Sequence, residues 1–540
     1  MDRAWRLQGG EQRASAAERS EVPVQIVNAS TSRGTEETRS REKIFGRVSY
    51  GIALVILWVL SLPLINPWVH GDGVGYYAYA HSLLIDHNLQ FEDDWKAGNE
   101  SFVMGRVGPN GEILPSQYTE THHLDNHFSV GPAILWVPFL CTTHLAITTL
   151  NRFGLHIKAD GFSRPYLLTM ALATAGYGFL GLWLSFCLAR KYVAERWAFL
   201  ATVGYWFASS LLVYMYLNPA WSHAHSLFAV ALFLWYWHRT KGHRAGMQWI
   251  VLGLLGALMV NIYYLNIVLL LVPALEALGE YMARLYGGRN QRTSFVRLLG
   301  SHALFVALFL IGMFPTLITR KIIYGQYLAT GYPQVGEWNW THPVFASVLF
   351  SSDHGLFSWT PILAFAVVGL ILFRSYDRKF AIYLGVVSLS FFYAISCYVN
   401  WDGLSSFGNR FFISLGPVFI IGLAALFDRL RRWITSERTA FVAFTFAVIL
   451  LAVWNIGFIF QWGDHLIPIR GPISWRTMGY NQFCVVPVQI WKTAEGYLFS
   501  RKRLLHEIEQ KDIHQLQQAS PGNPKHGRTP PKPFRTCPRR

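Results

Sequence analysis

Gly71-Asp72-Gly73-Val74-Gly75-Tyr76-Tyr77 sets a carboxylate between glycines directly after the first apolar run, 48–68. An acid at the point where a chain leaves a bilayer is costly unless it has a partner or a task. The flanking glycines allow a sharp bend and a close approach by a ligand. Further chemistry-bearing clusters follow: Glu92-Asp93-Asp94-Trp95, His122-His123-Leu124-Asp125-Asn126-His127, Ser351-Ser352-Asp353-His354-Gly355, Asn400-Trp401-Asp402-Gly403, Ser406-Phe407-Gly408-Asn409-Arg410, Asp464-His465 and Arg470. Carboxylates, histidines and arginines beside aromatic rings suit a sugar and phosphate ligand. The rings stack on apolar sugar faces, and a guanidinium pairs two phosphate oxygens at once.

The elements that must position these residues are hydrophobic helices. Of 540 residues, 52% are hydrophobic and only 14% charged, against about 25% charged in ordinary soluble domains. Mean hydropathy is +0.26. Apolar runs recur between short charged loops, and 21 Trp and 25 Tyr fit a chain with many membrane interfaces. The fold class this predicts is all-α: a polytopic transmembrane helical bundle with a long first outer loop, 67–129, carrying short interfacial helices. The segment from Tyr76 to Asn88 reads as one of these, amphipathic and lying along the interface. The net charge of +16 is spread over loops and tails that orient a membrane protein, so it is no sign of nucleic-acid binding.

About eleven spans alternate in agreement with the basic clusters at 190–196, 239–244, 284–297, 374–379 and 429–438 as cytoplasmic. Segment 130–150 is left over. A full crossing there would reverse every later loop, so it is expected to be re-entrant or interfacial, with Val130-Gly131-Pro132 as helix-breaking chemistry. This orientation sends 67–129, 218–225, 320–356, 400–410 and the segment after Gln461 to the non-cytoplasmic face, where the polar and glycine residues gather. The domain layout is a basic, disordered cytoplasmic tail at 1–47, a membrane domain at 48–465, and a non-cytoplasmic segment at 466–540, disordered and basic from about Arg501. The five cysteines show no paired spacing, and Cys141, Cys187 and Cys397 read as small buried residues.

Asp72 with Tyr76-Tyr77, the segment Asn126-His127-Phe128-Ser129-Val130-Gly131-Pro132, and the turn Trp401-Asp402-Gly403 with Ser406-Phe407-Gly408-Asn409-Arg410-Phe411-Phe412 resemble the GT-C superfamily of integral-membrane glycosyltransferases. That superfamily includes protein O-mannosyltransferases, oligosaccharyltransferases and lipid A aminoarabinose transferases. The resemblance covers the layout of about 45–465. An obvious Trp-Trp-Asp acceptor motif is missing, which argues against glycosylation of Asn sequons.

The resemblance implies transfer of a sugar from a polyprenyl-phosphate donor to a lipid, glycan or protein acceptor, at the non-cytoplasmic face of a plasma (inner) membrane. Asp72 would take the acceptor's proton as general base. Arg410, then Arg470, would hold the donor phosphate. Tyr76, Tyr77, Asp93, Asp94, His127, His354, Trp401 and Asn409 are candidates to bind substrate. A divalent cation, Mg or Mn, held by Asp72 and Asp94 is an open cofactor expectation. Plainer roles stand beside these. Asp72 could end a helix at the interface, Arg410 could snorkel as an anchor, and Ser222 could cap the helix bearing His223 and His225. Two other functions use similar residues: a transporter or flippase of a lipid-linked or polar substrate, and a surface-polysaccharide polymerase or ligase. The transporter reading lacks a repeat and mid-membrane charges. The polymerase reading would place the large outer loop late rather than first.

Overall fold

Long apolar stretches leave the backbone few ways to satisfy its N–H and C=O groups inside a membrane, and the chief one is the α-helix. The computed structural model describes residues 49–286, 292–331, 338–468 and 470–519, and the tail at 1–47 lies outside them. Helix α1 (Tyr50–Ser61) leads to the first loop, which carries α2 (Asp72–His81) and α3 (Glu92–Lys96). The bundle continues through α4 (Gly131–Arg152), α5 (Arg164–Ala189), α6 (Glu195–Phe207), α7 (His223–Thr240), α8 (Gly246–Ile262), α9 (Leu271–Tyr286), α10 (Arg292–Gly312) and α11 (Phe314–Tyr324). It closes with α12 (Ile362–Phe373), α13 (Arg378–Cys397), α14 (Gly416–Leu430) and α15 (Glu437–Gly463), followed by α16 (Val486–Phe499) and α17 (Arg501–Ala519).

Among the described residues, 7 helical segments are long and apolar enough to cross a membrane: 131–152, 164–189, 264–285, 295–312, 378–397, 410–433 and 437–463. Their outer faces are greasy. On α15, Val442, Phe446, Ile449, Leu450 and Val453 are exposed at helical spacing, which is a lipid-facing stripe rather than a water-facing one. The chain is an all-α, multi-pass membrane protein. At its centre, residues 411–428 are all buried, with α5, α6 and α12 packed on α14. Helices α12 and α14 meet backbone to backbone, since a Cβ on Gly369 would stand 1.9 Å from the Gly422 carbonyl oxygen.

Several sequence expectations change here. The expected break at the start of segment 130–150 is absent: the helix is continuous from Gly131 to Arg152 and runs through Pro138, because Pro132 sits in its first turn, where proline starts helices rather than breaking them; its length and composition would suffice for a span. The first apolar run is shorter than expected and ends as a 3-10 turn, Leu62–Leu64. The apolar stretch that begins with α6 is interrupted, since the helix stops at Phe207 and the chain resumes with a π-turn, Val213–Leu217. Helix α2 does not lie free along an interface, since every residue from Gly73 to His81 is buried. Its tyrosines explain this. Tyr77 donates to the Gly161 carbonyl at 2.6 Å and Tyr79 to that of Asn126 at 3.0 Å, so the rings are bolted to distant loops. Cys397 is buried, but Cys141 is exposed and Cys187 intermediate, and Cys484 is disulfide-bonded.

The C-terminal segment differs most. Arg501 does not begin a disordered end but starts the 19-residue α17. Arg501 donates to the carbonyls of Pro63 and Ile65 at the end of the first apolar run. The Glu509 carboxylate accepts from Asn99 Nδ2 at 2.8 Å and from the Ser101 amide at 2.6 Å. Asp512 pairs with His465 at 2.6 Å, and Lys511 with Asp464 at 2.7 Å. Hydrogen bonds to a charged group contribute about 1.5–3 kcal/mol each. Glu509→Ala should therefore free α17, and limited trypsin digestion at Arg501, Arg503 and Lys511 should run about tenfold faster or more, in step with the open population. Unchanged cleavage would mean that these two bonds do not hold the helix down.

Candidate active site

The geometry starts with Gly71. Its φ of +53° precedes the first turn of α2, a conformation that glycine adopts without a steric penalty. Its amide donates to Asn99 Oδ1 at 3.0 Å, and a Cβ would sit 3.2 Å from the Trp221 ring. The bend delivers Asp72 to Arg410, with Nη1 donating to Oδ2 at 2.6 Å. The two residues stand 338 positions apart in sequence. Arg410 heads the buried central segment, and its guanidinium lies over the Trp221 ring at 4.3 Å. Its Nε is buried with no hydrogen-bond acceptor, so one donor stays unused beside the carboxylate. Trp221 is fixed in turn by its indole N–H, which donates to the His70 carbonyl at 3.1 Å.

The turn 400–410 is a scaffold for Arg410. Asn409 Nδ2 donates to the Trp401 carbonyl at 3.1 Å. Buried His354 places Nδ1 2.8 Å from the Asp402 carbonyl, and the Phe407 amide donates to the Tyr214 hydroxyl at 2.9 Å. Burial depresses His354 to a pKa of about 4, so at neutral pH the ring is a neutral donor to that carbonyl.

Asp72 opens on a cavity of about 490 Å³. Its polar end holds Asp72, His70, Arg106, Ser405 and Arg470. Its body is apolar, walled by Ile456, Ile459 and Phe460 of α15 and by Leu504, Leu505 and Ile508 of α17. Arg470 donates from Nε to Ser405 Oγ at 3.1 Å. Burial lowers the Arg106 pKa while Asp72 and Asp125 oppose the shift, and its Nη1 donates to the Phe102 carbonyl at 2.7 Å. His70 is pushed down to about 4 by burial, against Asp512 and Asp72, and is neutral at neutral pH.

The structure gathers some expected residues and disperses others. Asp72, Arg410, Arg470 and Tyr76 collect at or beside the cavity's polar end. The Tyr76 hydroxyl accepts from Ser222 Oγ at 3.0 Å, so Ser222 serves Tyr76 and makes no side-chain cap at the start of α7. His354, Trp401 and Asn409 build the turn rather than the cavity wall. Tyr77 faces the Gly161 loop. The His127 ring lies tilted against Phe128 at 4.2 Å, its pKa lowered by burial. Asp93 is exposed on α3.

Asp94 is buried against His81 at the far end of α2, about 14 Å along the helix from Asp72 at 1.5 Å per residue. A cation shared by Asp72 and Asp94 therefore does not fit, and the partner of Asp72 is Arg410. Sequence reading missed Arg106, Trp221 and His70. Arg106 had a signal, since Lys96 and Arg106 are the only cations in 67–129.

No protein-family model matches this chain, and no curated protein does. Solved structures similar to it include ArnT from Cupriavidus metallidurans bound to undecaprenyl phosphate, with TM-score 0.45, 13% identity, and 86% of this chain and 74% of that one covered. The apo state of the same ArnT gives 0.44 and 11%, covering 90% and 76%. The archaeal oligosaccharyltransferase AglB from Archaeoglobus fulgidus, in complex with an inhibitory peptide and a dolichol-phosphate, gives 0.42 and 16%, covering 81% and 57%. These likenesses, all below a TM-score of 0.5, support no step in the chemistry of this chain.

Proposed function

We propose that this protein is a membrane glycosyltransferase that moves a sugar from a polyprenyl-phosphate donor to an acceptor, with Asp72 as general base. The observation that carries the reading is the Asp72–Arg410 pair at the polar end of a largely apolar cavity. A polyprenyl tail matches the apolar wall of α15 and α17, and a phosphate matches the cations at its head. In the transfer, Asp72 removes the acceptor's O–H proton as the acceptor oxygen bonds to the anomeric carbon. The bond from that carbon to the phosphate oxygen breaks on the opposite side, inverting the centre. Negative charge gathers on the leaving lipid phosphate, where preorganised cationic donors are most effective. Arg410 supplies positive charge from behind Asp72, and Arg470 and Arg106 supply it from the cavity lining. The acceptor could be lipid, glycan or protein. The protein belongs, in this reading, to a plasma membrane with the cavity facing away from the cytoplasm.

The test is a transfer assay on purified full-length protein with labelled polyprenyl-phosphate sugars and candidate acceptors. Label appearing on an acceptor supports the reading. Movement of the labelled lipid across vesicle membranes without transfer would make the protein a flippase.

Sidedness has its own expected result. Ser101 and Ser405 both line the cavity. In a background lacking the native thiols, Ser101→Cys and Ser405→Cys should both react with an impermeant reagent from the non-cytoplasmic side, and donor lipid should slow both reactions. Labelling from the cytoplasmic side would overturn the orientation.

A further inference from the structure

We propose that His81, Asp86 and Asp94 bind one divalent transition cation, Zn2+ in preference to Mg2+ or Ca2+, at the end of α2 remote from Asp72. The three side chains can bring one ligand atom each to within 4.8 Å of one another. His81 Nδ1 stands 3.2 Å from Asp94 Oδ1 and 3.5 Å from Asp86 Oδ2. Those spacings are long for charge-assisted hydrogen bonds, which run about 2.7–2.9 Å. They match the edge of a coordination tetrahedron, because ligands about 2.0–2.1 Å from Zn2+ lie about 3.3–3.4 Å apart.

Direction agrees with distance. Nδ1 of His81 and both oxygens of Asp94 are buried with no hydrogen-bond partner, although the atoms are close enough to form one. The Asp94 side chain is 1% exposed and that of His81 2%. A carboxylate in that setting needs a cation or a proton.

The other ring nitrogen is already committed. His81 Nε2 lies 3.0 Å from the Asp160 carbonyl, and a carbonyl can only accept, so Nε2 carries the hydrogen. In the neutral ring this leaves Nδ1 with its lone pair facing the two carboxylates. A histidine that donates one N–H to a carbonyl and turns the other nitrogen to a metal is the usual arrangement of metal-bound imidazole. Phe162 stacks on the ring at 4.0 Å and fixes its plane. The mixed nitrogen and oxygen donor set favours a transition metal over Mg2+ or Ca2+. Asp86, at 21% exposure, leaves a path for the ion and room for a water. The ion would tie the C-terminal end of α2 to α3, fixing the helix whose first residue is Asp72.

The competing occupant is a proton, which would make His81 an imidazolium between two acids. Chelator-treated full-length protein, titrated with Zn2+ and then desalted, separates the two. Wild type should retain one equivalent more than Asp86→Asn or Asp94→Asn, or bind it at least about tenfold more tightly. Zn2+ should also raise the unfolding temperature of wild type and not that of the variants. Asp353→Asn controls for the separate group Asp353, His354 and Asp402 and should keep the equivalent. Asp86 is partly exposed, so Asp86→Asn decides the matter if Asp94→Asn fails to fold. Equal Zn2+ content in wild type and Asp86→Asn, or none in wild type, would leave the proton as the occupant and overturn the proposal.

Discussion

Asp72→Asn should leave a folded, inserted protein whose transfer rate falls about 100- to 10,000-fold, the usual contribution of a positioned proton acceptor. The amide keeps the shape of the carboxylate and an oxygen that can still accept from Arg410. What it loses is the ability to take a proton from an acceptor hydroxyl. Asp72 is about one-third exposed (32%), while Arg410 is 11% exposed, so the acid rather than the guanidinium faces the cavity. That asymmetry suits a base that must meet an incoming acceptor. Two controls separate chemistry from folding: unchanged elution and melting in detergent, and retained binding of the donor lipid. If the variant folds, binds donor and transfers at the wild-type rate, Asp72 is only the partner of Arg410 and the base lies elsewhere.

The sequence made the two ends of this pair visible for different reasons. Asp72 stood out because glycines flank it where an apolar run ends, and Arg410 because it closes a glycine turn at the head of another. Their contact is a tertiary fact across 338 residues, which no local pattern encodes. Helix α2 was misplaced because its tyrosines have the spacing of an interfacial belt. Nothing local shows that Tyr77 and Tyr79 donate to Gly161 and Asn126.

Helix α17 was legible but overlooked. Leu504, Leu505, Ile508 and Leu516 recur at helical spacing and all line the cavity, yet the basic, proline-rich residues beyond them dominated the composition. The acids of 92–94 were visible too. The partner of Asp94, however, is His81, brought back to it by the π-turn Ser82–Asp86. A period of 3.6 does not predict that kind of irregularity.

Arg410 gives the second large effect, and the structure narrows what it can mean. If its guanidinium holds the donor phosphate, Arg410→Lys should weaken donor binding and slow single turnover, because lysine keeps the charge but loses the planar fork. Arg410→Ala should do more, with a rate loss of about 100- to 1,000-fold, the scale of removing one donor from a site of developing charge. A simple interface anchor predicts that lysine substitutes almost freely. That reading sits badly with a guanidinium pressed on Trp221 and paired with an acid. The stronger competitor is a role confined to orienting Asp72. There, lysine could still pair with the carboxylate, and donor affinity would be unchanged while the rate fell. Equilibrium binding of the donor lipid to both variants therefore discriminates better than turnover does. A loss of affinity in Arg410→Lys assigns the phosphate to Arg410. Intact affinity with slowed transfer moves the phosphate to Arg470 or Arg106, which line the same polar end, and leaves Arg410 to set the position of the base.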